Sequence, residues 1–473
     1  MAKMFIGGEW QDRDDKIPVY NPYDGSVVDT VPNASKEDVD LAFKTAEKGA
    51  AIMKNMSGHD RYLLLKRAAE ILVEKEEEIG RTITLEEGKT FGEGKLEASR
   101  AVETVIGASE EAKRLSGETI PLDGAPGSEG KFGFTMRVPC GIVVGITPFN
   151  FPFNLVAHKA APALAAGNAV IIKPATDTPL SALLITRIFL EAGIPAEAIQ
   201  CITGKGAVLG NALCSDPRAR KITFTGSRDV GETICNMAGI KKVTMELGSN
   251  SPIVVLPDAD LAKVAKITAS TGFSNAGQVC ISAQRVLVDS KVYVDYLDAL
   301  KEEVEAIVPG NPFDEDVTMG PMIREQDSER VNNWIKEAES TGARVLTGGS
   351  RTSTLHEPTV VADVAPTMKI SCEEIFGPAV GVTPTNSIEE AIAIANDTNY
   401  GLSASIFTQD IDKAMKYVKE VDSGNIHVNW GPQWRADLMP YGGFKDSGLG
   451  KEGPRYAVEE MTELKMVVFH LGQ

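Results

Sequence analysis

The sequence places one cysteine in a short, polar, glycine-containing segment, Asn275-Ala-Gly-Gln-Val-Cys280-Ile-Ser. A reactive thiol needs solvent access and polar neighbours, which a cysteine in a hydrophobic core does not have. The other cysteines are scattered along the chain, without a CxxC pair or the spacing of a zinc site. Cys280 is therefore the candidate nucleophile, the remaining cysteines are interpreted as reduced thiols, and no metal site is predicted.

Two further positions complete an acyl-transfer set. Glu246 ends a β-branched run before Leu247-Gly248, where a carboxylate can serve as general base toward water or simply be a solvated strand end. Asn150 lies between two prolines in Thr147-Pro-Phe-Asn-Phe-Pro152, and an amide on such a rigid loop can donate a hydrogen bond to an oxyanion. Nucleophile, base and oxyanion donor thus all occur, although the sequence alone does not bring them together.

Two strand ends could bind a nucleotide. The apolar run at 169–173 ends in Lys173, at the carboxyl end where an open parallel sheet binds its ligand. The run at 221–225 leads into Gly226-Ser-Arg-Asp-Val-Gly231 and then a helix, whose N-terminus favours an anion. The usual GxGxxG fingerprint is absent, because the nearest segment, 204–210, carries one residue too many. The alternative is that these glycines only form tight turns.

The elements that must position these residues follow from hydrophobic periodicity. Amphipathic helices are predicted at 36–51, 61–86 and 95–115, before a glycine- and proline-rich break at 116–130. From residue 141 onward short β-rich runs alternate with helical segments, which predicts two α/β domains with parallel sheets. The strands are expected at 141–146, 169–173, 199–203, 221–225, 243–247, 253–256 and 285–288, and the helices at 179–192, 229–238, 293–308, 326–341, 388–396 and 412–421.

Length and charge narrow the class of protein. A chain of 473 residues is too long for one typical core, so two or three domains are expected. The net charge of −18 argues against nucleic acid and anionic membrane surfaces as partners, and is typical of a soluble protein. No apolar run reaches the length of a signal peptide core or a membrane span, which together with the cysteine usage predicts a cytoplasmic protein.

Six motifs in this order resemble the aldehyde dehydrogenase superfamily over essentially the whole chain. They are Thr147-Pro-Phe-Asn-Phe-Pro152, Phe224-Thr-Gly-Ser227, Glu246-Leu-Gly248, Gly277-Gln-Val-Cys280, Glu374-Ile-Phe-Gly-Pro378 and Pro440-Tyr-Gly-Gly-Phe-Lys445. The resemblance implies that Cys280 attacks an aldehyde and that Glu246 activates the water that hydrolyses the thioester. It implies that Asn150 contributes to the oxyanion hole, and that Lys159 and Glu452 relay the proton of the base.

The resemblance also implies an NAD(P) site. Lys173 is expected at the adenosine ribose, Gly226 and Ser227 at the pyrophosphate, Val230 at the adenine, and Glu374 at the nicotinamide ribose. The other residues expected to line the cofactor are Thr147, Pro148, Phe149, Thr176, Gly206, Phe224, Leu247 and Phe376. NAD-selective members often carry Glu at the position of Thr176, so its absence here implies that NADP is accepted as well as NAD.

The fold implied is α/β, with a Rossmann-type cofactor domain, an α/β catalytic domain and a β oligomerisation arm. The cofactor domain is expected at 1–114 and 138–248, the catalytic domain at 249–457, and the arm at 115–137 and 458–473. A homodimer or homotetramer is expected. The apolar tail at 464–470 could pair within its own subunit or with another subunit, and the resemblance favours the second. Ser249 replaces the second glycine of the family's Glu-Leu-Gly-Gly, which lies beyond the base and puts little in doubt.

The nearest subgroup by resemblance contains lactaldehyde, phosphonoacetaldehyde and sulfolactaldehyde dehydrogenases. Its resembling segments are 154–159 and 434–440, and the residues expected near the substrate are Arg100, Phe151, Asn154, His158 and Arg435. Arginine suits an anionic tail because its fork donates paired hydrogen bonds. The alternative is that Arg100, His158 and Arg435 each form a surface or structural ion pair, which is the favoured interpretation of Arg100. Val279 stands where some relatives that bind phosphorylated aldehydes have Arg, so a small hydroxy- or sulfo-aldehyde is predicted.

Two other functions remain open at this stage. A CoA-acylating relative would transfer the acyl group to CoA, and such members usually lack the base that Glu246 supplies. A catalytically idle relative of the same fold would be a binding protein, against which the intact Cys280, Glu246 and Asn150 speak.

Overall fold

A computed structural model of the protein describes residues 2–471 and begins with short strands and four long helices. These elements are β1 (Met4–Ile6), β2 (Glu9–Gln11), β3 (Lys16–Tyr20), β4 (Val27–Pro32), α1 (Lys36–Asn55), α2 (Gly58–Glu74), α3 (Glu76–Glu87), α4 (Phe91–Ala112), β5 (Thr119–Ile120) and β6 (Lys131–Pro139). The single helix predicted at 61–86 is wrong, because the backbone leaves helical geometry at Lys75, with φ of −108° and ψ of 15°.

Strands and helices then alternate strictly. They are β7 (Ile142–Ile146), α5 (Asn154–Ala165), β8 (Ala169–Lys173), α6 (Pro179–Glu191), β9 (Ile199–Cys201), α7 (Gly206–Ser215), β10 (Ala219–Thr225), α8 (Arg228–Ala238) and β11 (Lys242–Glu246). The strands predicted in this region are confirmed to within two residues at each end. The alternation builds a parallel sheet because each helix returns the chain to the end of the sheet at which the previous strand began.

The second alternating region has the same architecture. Its elements are β12 (Pro252–Val255), α9 (Leu261–Phe273), β13 (Arg285–Asp289), α10 (Tyr293–Glu305), α11 (Glu325–Ser340), β14 (Arg344–Thr347), β15 (Arg351–Thr352), β16 (Leu355–His356), β17 (Thr359–Ala362), α12 (Lys369–Cys372), β18 (Ala379–Thr385), α13 (Ile388–Asn396), β19 (Ser403–Phe407), α14 (Ile411–Glu420) and β20 (Asn425–Val428). The chain ends with β21 (Gly448–Leu449), α15 (Pro454–Glu460) and β22 (Thr462–His470).

Two large sheets form the centre of the molecule. The first has the strand order β2-β1-β9-β8-β7-β10-β11-β21. Its five central strands, β9, β8, β7, β10 and β11, run parallel. The second has the order β14-β17-β18-β13-β12-β19-β20 and is parallel except for β14. Each sheet is covered by helices on both faces, which confirms the predicted pair of α/β units.

The winding of the first sheet reverses beside β7. The chain passes from β7 to β8 and β9 on one side, and then crosses over to β10 and β11 on the other. In open α/β sheets, ligands bind in the crevice at the carboxyl ends of the strands on either side of such a reversal. The crevice between β7 and β10 is therefore where the fold favours a ligand.

Both faces of the first sheet are buried, and β7 shows how. Val143 belongs to a cluster with helices α2 to α6, whereas Ile142 and Val144 belong to a second cluster with α1, α7 and α8. Successive side chains of a strand point to opposite faces, so one apolar strand supplies two cores. This explains why the strand reads as a continuous apolar run rather than an alternating one.

A separate three-stranded sheet has the order β22-β6-β5. All nine residues of β22 pair antiparallel with β6, from Thr462 opposite Pro139 to His470 opposite Lys131. The tail thus pairs within its own chain along one edge, and its other edge has no strand partner among residues 2–471. Pairing with another subunit, and the predicted domain boundaries, stay predictions. Within the same described range, no helix has the length and apolar character required to cross a bilayer.

Candidate active site

The carboxyl ends of four neighbouring parallel strands bring together predicted site residues. Lys173 is the last residue of β8, Thr147 follows β7, Gly226 follows β10, and Glu246 is the last residue of β11. Backbone hydrogen bonds join these ends in pairs, from Thr147 N–H to the Lys173 carbonyl (3.1 Å) and from Gly226 N–H to the Glu246 carbonyl (3.1 Å). The sheet therefore fixes the candidate base beside the candidate cofactor loops.

The segment before Cys280 has an unusual backbone. Asn275, Ala276 and Gly277 all have positive φ, of 50°, 51° and 69°. Gly277 cannot be replaced without movement, since a Cβ there would lie 2.1 Å from the Gly377 carbonyl oxygen. Asn275 is held by its N–H, which donates to the Glu93 carboxylate at 2.7 Å. The bend is thus imposed by tertiary contacts, and it turns the following residues toward the other site elements.

Cys280 is partly exposed, and its thiol meets one hydroxyl group. The Sγ atom lies 3.1 Å from the Tyr441 hydroxyl oxygen. Burial raises the pKa of the Cys280 thiol to about 12, and the carboxylates of Glu374 and Glu246 raise it further, while Tyr441 and Arg435 act in the opposite direction. The thiol is therefore the stable form in this environment, and its ionisation depends on the groups that contact the sulfur.

Asn150 is buried close to the Cys280 loop. Its side-chain amide donates a 2.7 Å hydrogen bond to the Gln278 carbonyl oxygen, two residues before the candidate nucleophile. Its backbone carbonyl accepts from the Lys89 ammonium (2.7 Å) and from the Asn275 amide (3.1 Å). The amide has a second N–H, which none of these contacts uses. The loop that carries Asn150 is therefore anchored to the loop that carries Cys280.

Lys89 belongs to a buried charged cluster that sequence reasoning missed. Its ammonium lies 2.7 Å from the Glu97 carboxylate and 4.0 Å from the centre of the Phe151 ring. Glu97 in turn accepts from the backbone N–H groups of Phe153 and Asn154, at the start of α5. In the sequence, Lys89 and Glu97 are only two charged residues eight positions apart, the second of them on α4. That pattern is not specific for a buried charged cluster.

Glu246 is buried, and neither of its carboxylate oxygens has a hydrogen-bond partner among the described residues. Burial raises the pKa of Glu246 well above its usual value, and the negative charge of Glu452 raises it further. The cations Arg435, Lys159 and Lys451 act against this shift without overcoming it. A buried carboxyl group with both oxygens free is the state expected of a general base that awaits a water molecule.

Glu452 lies between two buried cations. Its carboxylate accepts from the Lys159 ammonium at 2.9 Å and from the Arg435 guanidinium at 3.3 Å. Although burial opposes it, these two cations hold the pKa of Glu452 well below its usual range, at about 2. Lys159 also donates to the Thr225 hydroxyl at 2.7 Å, which ties the pair to the end of β10. The predicted pair of Lys159 and Glu452 is thus in direct contact.

The predicted substrate residues form a second network around Asp437. Its carboxylate accepts from Arg100 at 2.9 Å and lies 3.1 Å from His158 Nε2. The other ring nitrogen of His158 lies 3.4 Å from the Arg435 guanidinium, and burial lowers the pKa of His158. Asn154 joins the network through the Thr104 hydroxyl, at 3.0 Å. The network therefore brings together Arg100, Asn154, His158 and Arg435. Arg100 forms an ion pair with Asp437, which agrees with the alternative interpretation of this residue as structural.

Phe151 lines the same space from the apolar side. It packs against a small hydrophobic cluster that contains Val279, Ile281 and Tyr441, and Cys280 packs against the same cluster. The thiol thus stands against an apolar wall, and through Tyr441 and Arg435 it adjoins the polar network of Asp437.

The residues predicted at the adenosine end of the cofactor lie near one another. Lys173 is buried, and its ammonium donates only to the Pro174 carbonyl (2.8 Å) among the described residues. Burial lowers the pKa of Lys173 to about 8. Gly206, the first residue of α7, faces this ammonium, since a Cβ there would lie 3.7 Å from it. Thr176 donates to the Gly204 carbonyl at 3.4 Å, on the same side.

The other predicted cofactor residues cluster around the Glu246 end of the sheet. Phe149 and Phe376 meet edge to face with their centres 5.9 Å apart. Glu374 accepts from the Ser249 N–H at 2.9 Å, and burial raises the pKa of Glu374 to about 7. Phe224 is buried beside Gly226, and Leu247 is buried beside Gly231. Ser227 directly precedes α8, and Val230 is exposed on that helix. Thr147 and Pro148 lie in the loop after β7.

Two site residues were not predicted although their segments were. Asp437 joins Arg100 to His158, and Tyr441 contacts the thiol of Cys280. Both lie inside stretches that carried the family resemblance, yet neither residue type at those positions indicates chemistry by itself. Only the three-dimensional arrangement reveals them.

Comparison with known proteins assigns the family. The Aldehyde dehydrogenase family matches residues 10–467. The chain is 44% identical over 468 residues to the 3-sulfolactaldehyde dehydrogenase of Priestia aryabhattai, covering 99% of this chain and 98% of that protein. It is 39% identical over 471 residues to the lactaldehyde dehydrogenase of Methanococcus maripaludis, covering 99% and 100%.

Its fold also matches a solved structure, the NADP-dependent glyceraldehyde-3-phosphate dehydrogenase of Bacillus halodurans in complex with NADP. The TM-score is 0.97 at 36% identity, over 100% of this chain and 99% of that one. The nearly complete coverage confirms the predicted fold class. The chain therefore belongs to the aldehyde dehydrogenase family, and it is an oxidoreductase that acts on aldehydes.

Proposed function

We propose that this aldehyde dehydrogenase converts a short aldehyde into the carboxylic acid with NAD(P), through a thioester on Cys280 that Glu246 hydrolyses. The observation that carries the proposal is a partly exposed thiol on a loop bonded to Asn150, close to a buried carboxyl group whose two oxygens have no partner among residues 2–471. These are the nucleophile, oxyanion donor and base that acyl transfer requires.

The first step is attack of the Cys280 sulfur on the aldehyde carbon. The S–H bond breaks, its proton passes to solvent, and the carbonyl oxygen becomes an oxyanion. The amide of Asn150 has one N–H directed to the Gln278 carbonyl and a second N–H free to donate to that oxyanion. Because the first N–H is fixed, the amide cannot rotate away from the Cys280 loop.

The residues that surround the cofactor crevice fit a dinucleotide. The buried Lys173 ammonium has a single carbonyl partner, the buried Thr147 hydroxyl has none among the described residues, and Ser227 begins α8 without a side-chain cap. Polar groups in that state are suited to ribose hydroxyls and to a pyrophosphate at the helix N-terminus. Bound NAD(P) supplies the hydride acceptor for the oxidation of the thiohemiacetal.

The final step is hydrolysis of the thioester. Glu246 takes a proton from water, the water oxygen bonds to the acyl carbon, and the C–S bond breaks to release the thiolate. Because burial raises the pKa of Glu246, the base is competent only above that raised value, and hydrolysis should accelerate as the pH increases. CoA as acyl acceptor is the second candidate, and the free, buried carboxyl group of Glu246 favours water.

The test compares the reduced cofactor released in a single turnover with the rate of steady-state turnover. Cys280→Ser should form no acid while it still binds cofactor, whereas Glu246→Gln should release about one equivalent of reduced cofactor and then stall. Cofactor binding in each variant controls for folding. Steady turnover by Glu246→Gln would contradict the role of Glu246, and acid formation by Cys280→Ser would contradict the whole mechanism. Acyl-CoA formed on addition of CoA to the wild type would favour the second candidate.

For the substrate, we propose a short aldehyde with a hydroxylated or sulfonated tail. Arg435 is buried, and its Nε has no hydrogen-bond partner in the described part of the chain. Around it stand the cations Arg100 and Lys159 and the carboxylates Glu452 and Asp437. An unpartnered buried guanidinium donor is suited to an anionic or hydroxyl oxygen. A phosphorylated aldehyde is disfavoured, because the cation that some relatives carry is replaced by valine in this chain.

The substrate proposal is tested by a ratio of rates. Arg435→Met should lower kcat/KM for sulfolactaldehyde by about ten- to a hundredfold, from loss of a charged hydrogen bond of roughly 1.5–3 kcal/mol. The same variant should lose much less on propanal, which has no polar tail and serves as the internal control. Equal losses on both aldehydes would make Arg435 structural. Wild-type preference for propanal would reject the polar tail altogether.

For the cofactor, we propose that NADP and NAD are both accepted. The hydroxyl of Thr176 is bonded to the Gly204 carbonyl beside Lys173, so no carboxylate at this position opposes a ribose phosphate. A nearby ammonium also attracts that phosphate. We propose further that the active protein is a homodimer or homotetramer, on the strength of the family resemblance. The free cysteines support a location in the reducing cytoplasm.

A further inference from the structure

Tyr441 is the one side chain among residues 2–471 that hydrogen-bonds the sulfur of the proposed nucleophile. Its hydroxyl oxygen lies 3.1 Å from Cys280 Sγ. Among residues 2–471 the hydroxyl makes no other hydrogen bond, and the side chain is almost fully buried. A buried phenol hydroxyl normally finds a partner, and here the sulfur is that partner.

The position of the hydroxyl is fixed from two sides. The backbone of Tyr441 pairs antiparallel with Glu452, through N–H to carbonyl bonds of 3.1 Å and 2.7 Å in the two directions. The guanidinium of Arg435 stacks over the ring at 3.9 Å from its centre. Since the main chain is paired, the hydroxyl can leave the sulfur only by rotation of the side chain, which would disrupt the stacking with Arg435.

The hydroxyl must be the donor whenever the sulfur is ionised. Burial raises the pKa of Tyr441 well above its usual value, and the negative charge of a Cys280 thiolate raises it further, so the phenol keeps its proton. The charged groups that face the sulfur are Glu374 and Glu246, which disfavour a thiolate, and Arg435, which favours one. A hydrogen bond to the sulfur is therefore the direct contact that can offset burial.

We propose that Tyr441 is a further catalytic residue, whose hydroxyl donates a hydrogen bond to the Cys280 thiolate. The proposal rests on the proposed role of Cys280 as nucleophile. When the thiolate forms, the S–H bond breaks and its proton passes to water, while the O–H bond of Tyr441 stays intact. The same bond stabilises the sulfur when the thioester C–S bond breaks, so Tyr441 assists both the attack and the release of the acid.

The test is the pH dependence of Cys280 alkylation by iodoacetamide, with the modified residue located by mass spectrometry and Cys280→Ser as the background. Tyr441→Phe keeps the ring and removes the hydroxyl. The apparent pKa of the thiol should rise by about one unit, which is about 1.4 kcal/mol. On the rising limb the rate constant should fall about three- to tenfold, because a more basic thiolate is also a better nucleophile.

The matched control is Tyr296→Phe. Tyr296 is also buried, and its hydroxyl donates to Thr268 at 3.0 Å, on helices of the second sheet. It should lose a hydrogen bond without any change in the alkylation profile. A ring-fluorinated tyrosine at position 441 supplies the opposite perturbation, because a more acidic phenol is a stronger donor and should lower the apparent pKa of the thiol.

An alkylation profile in Tyr441→Phe that coincides with the wild type, or moves to lower pH, would overturn the proposal. Should that variant not fold, judged by cofactor binding and thermal melting, the fluorinated protein decides alone, and an unmoved profile in it would overturn the proposal equally. Full turnover by Cys280→Ser would instead reject the proposed function, so the two failures are distinguishable.

Discussion

Replacement of Glu452 by Gln should reduce the stability of the folded protein and should also lower the pKa of Glu246. Gln has nearly the same shape as Glu but carries no negative charge. The partners, Lys159 and Arg435, are both buried, with side-chain exposures of 1% and 7%, and they lie 2.9 Å and 3.3 Å from the carboxylate. The substitution therefore leaves two buried cations without their shared counter-ion.

The magnitude follows from that burial. Removing one partner of a buried ion pair costs about 3–5 kcal/mol, because the remaining charge is desolvated without compensation. Glu246 should respond in the other direction. Its pKa is raised by burial and then by the charge of Glu452, so removal of that charge lowers it. A decrease of about one unit corresponds to about 1.4 kcal/mol, and the base then becomes competent at lower pH.

Urea denaturation followed by tryptophan fluorescence measures the first effect, and the pH dependence of kcat measures the second. The control is Glu459→Gln, whose partners Arg455 and Arg137 lie 3.3 Å and 3.8 Å away near the surface, so its loss should stay below about 1 kcal/mol. In Glu452→Gln, the acidic limb of the pH profile should move to lower pH although the protein is less stable. This electrostatic reasoning would be refuted if Glu452→Gln lost as little unfolding free energy as the control. It would also be refuted if the acidic limb of the kcat profile stayed in place or moved to higher pH.

Two further predictions concern the cofactor and the oxyanion. Thr176→Glu should raise the dissociation constant of NADP by about tenfold, from roughly 1–2 kcal/mol of repulsion with the ribose phosphate, and leave NAD nearly unchanged. Titration by nicotinamide fluorescence checks this, and equal NADP binding would show that the phosphate is bound elsewhere. Asn150→Ala should lower kcat by about a hundred- to a thousandfold with cofactor affinity retained. A fall of less than tenfold in stopped-flow acylation would exclude Asn150 as the oxyanion donor.

The regular elements were predictable where local signals agree. Strand β8 has the predicted bounds, because its apolar run lies between a Gly-Asn turn and Lys-Pro, which end a strand on both sides. Helix α4 begins four residues before the predicted start, since Thr90 and Glu93 form a capping box that the apolar pattern alone does not reveal. The break at Lys75 has no glycine or proline to announce it, and it arises only in the folded chain.

The site was predictable in its chemistry but not in its geometry. The types and local settings of Cys280, Glu246 and Asn150 indicate a nucleophile, a base and a donor, yet more than 30 residues separate Glu246 from Cys280 and more than 90 separate Asn150 from Glu246. Bringing them together depends on the sheet edge and on the loop contacts described above. Tyr441 and Asp437 were not identified because a hydroxyl or a carboxylate acquires a role only from what it faces.

The left-handed bend at residues 275–277 has a consequence for engineering the protein. A non-glycine residue in this conformation costs about 1–2 kcal/mol, and Asn275 and Ala276 both adopt it. The tertiary contacts that hold the bend must recover this cost during folding, so thermal robustness and the placement of the thiol draw on the same contacts. Ala276→Gly would relax the backbone, but it would also remove a buried methyl group from the core and increase the entropy of the unfolded chain, so this bend is a poor target for raising heat resistance.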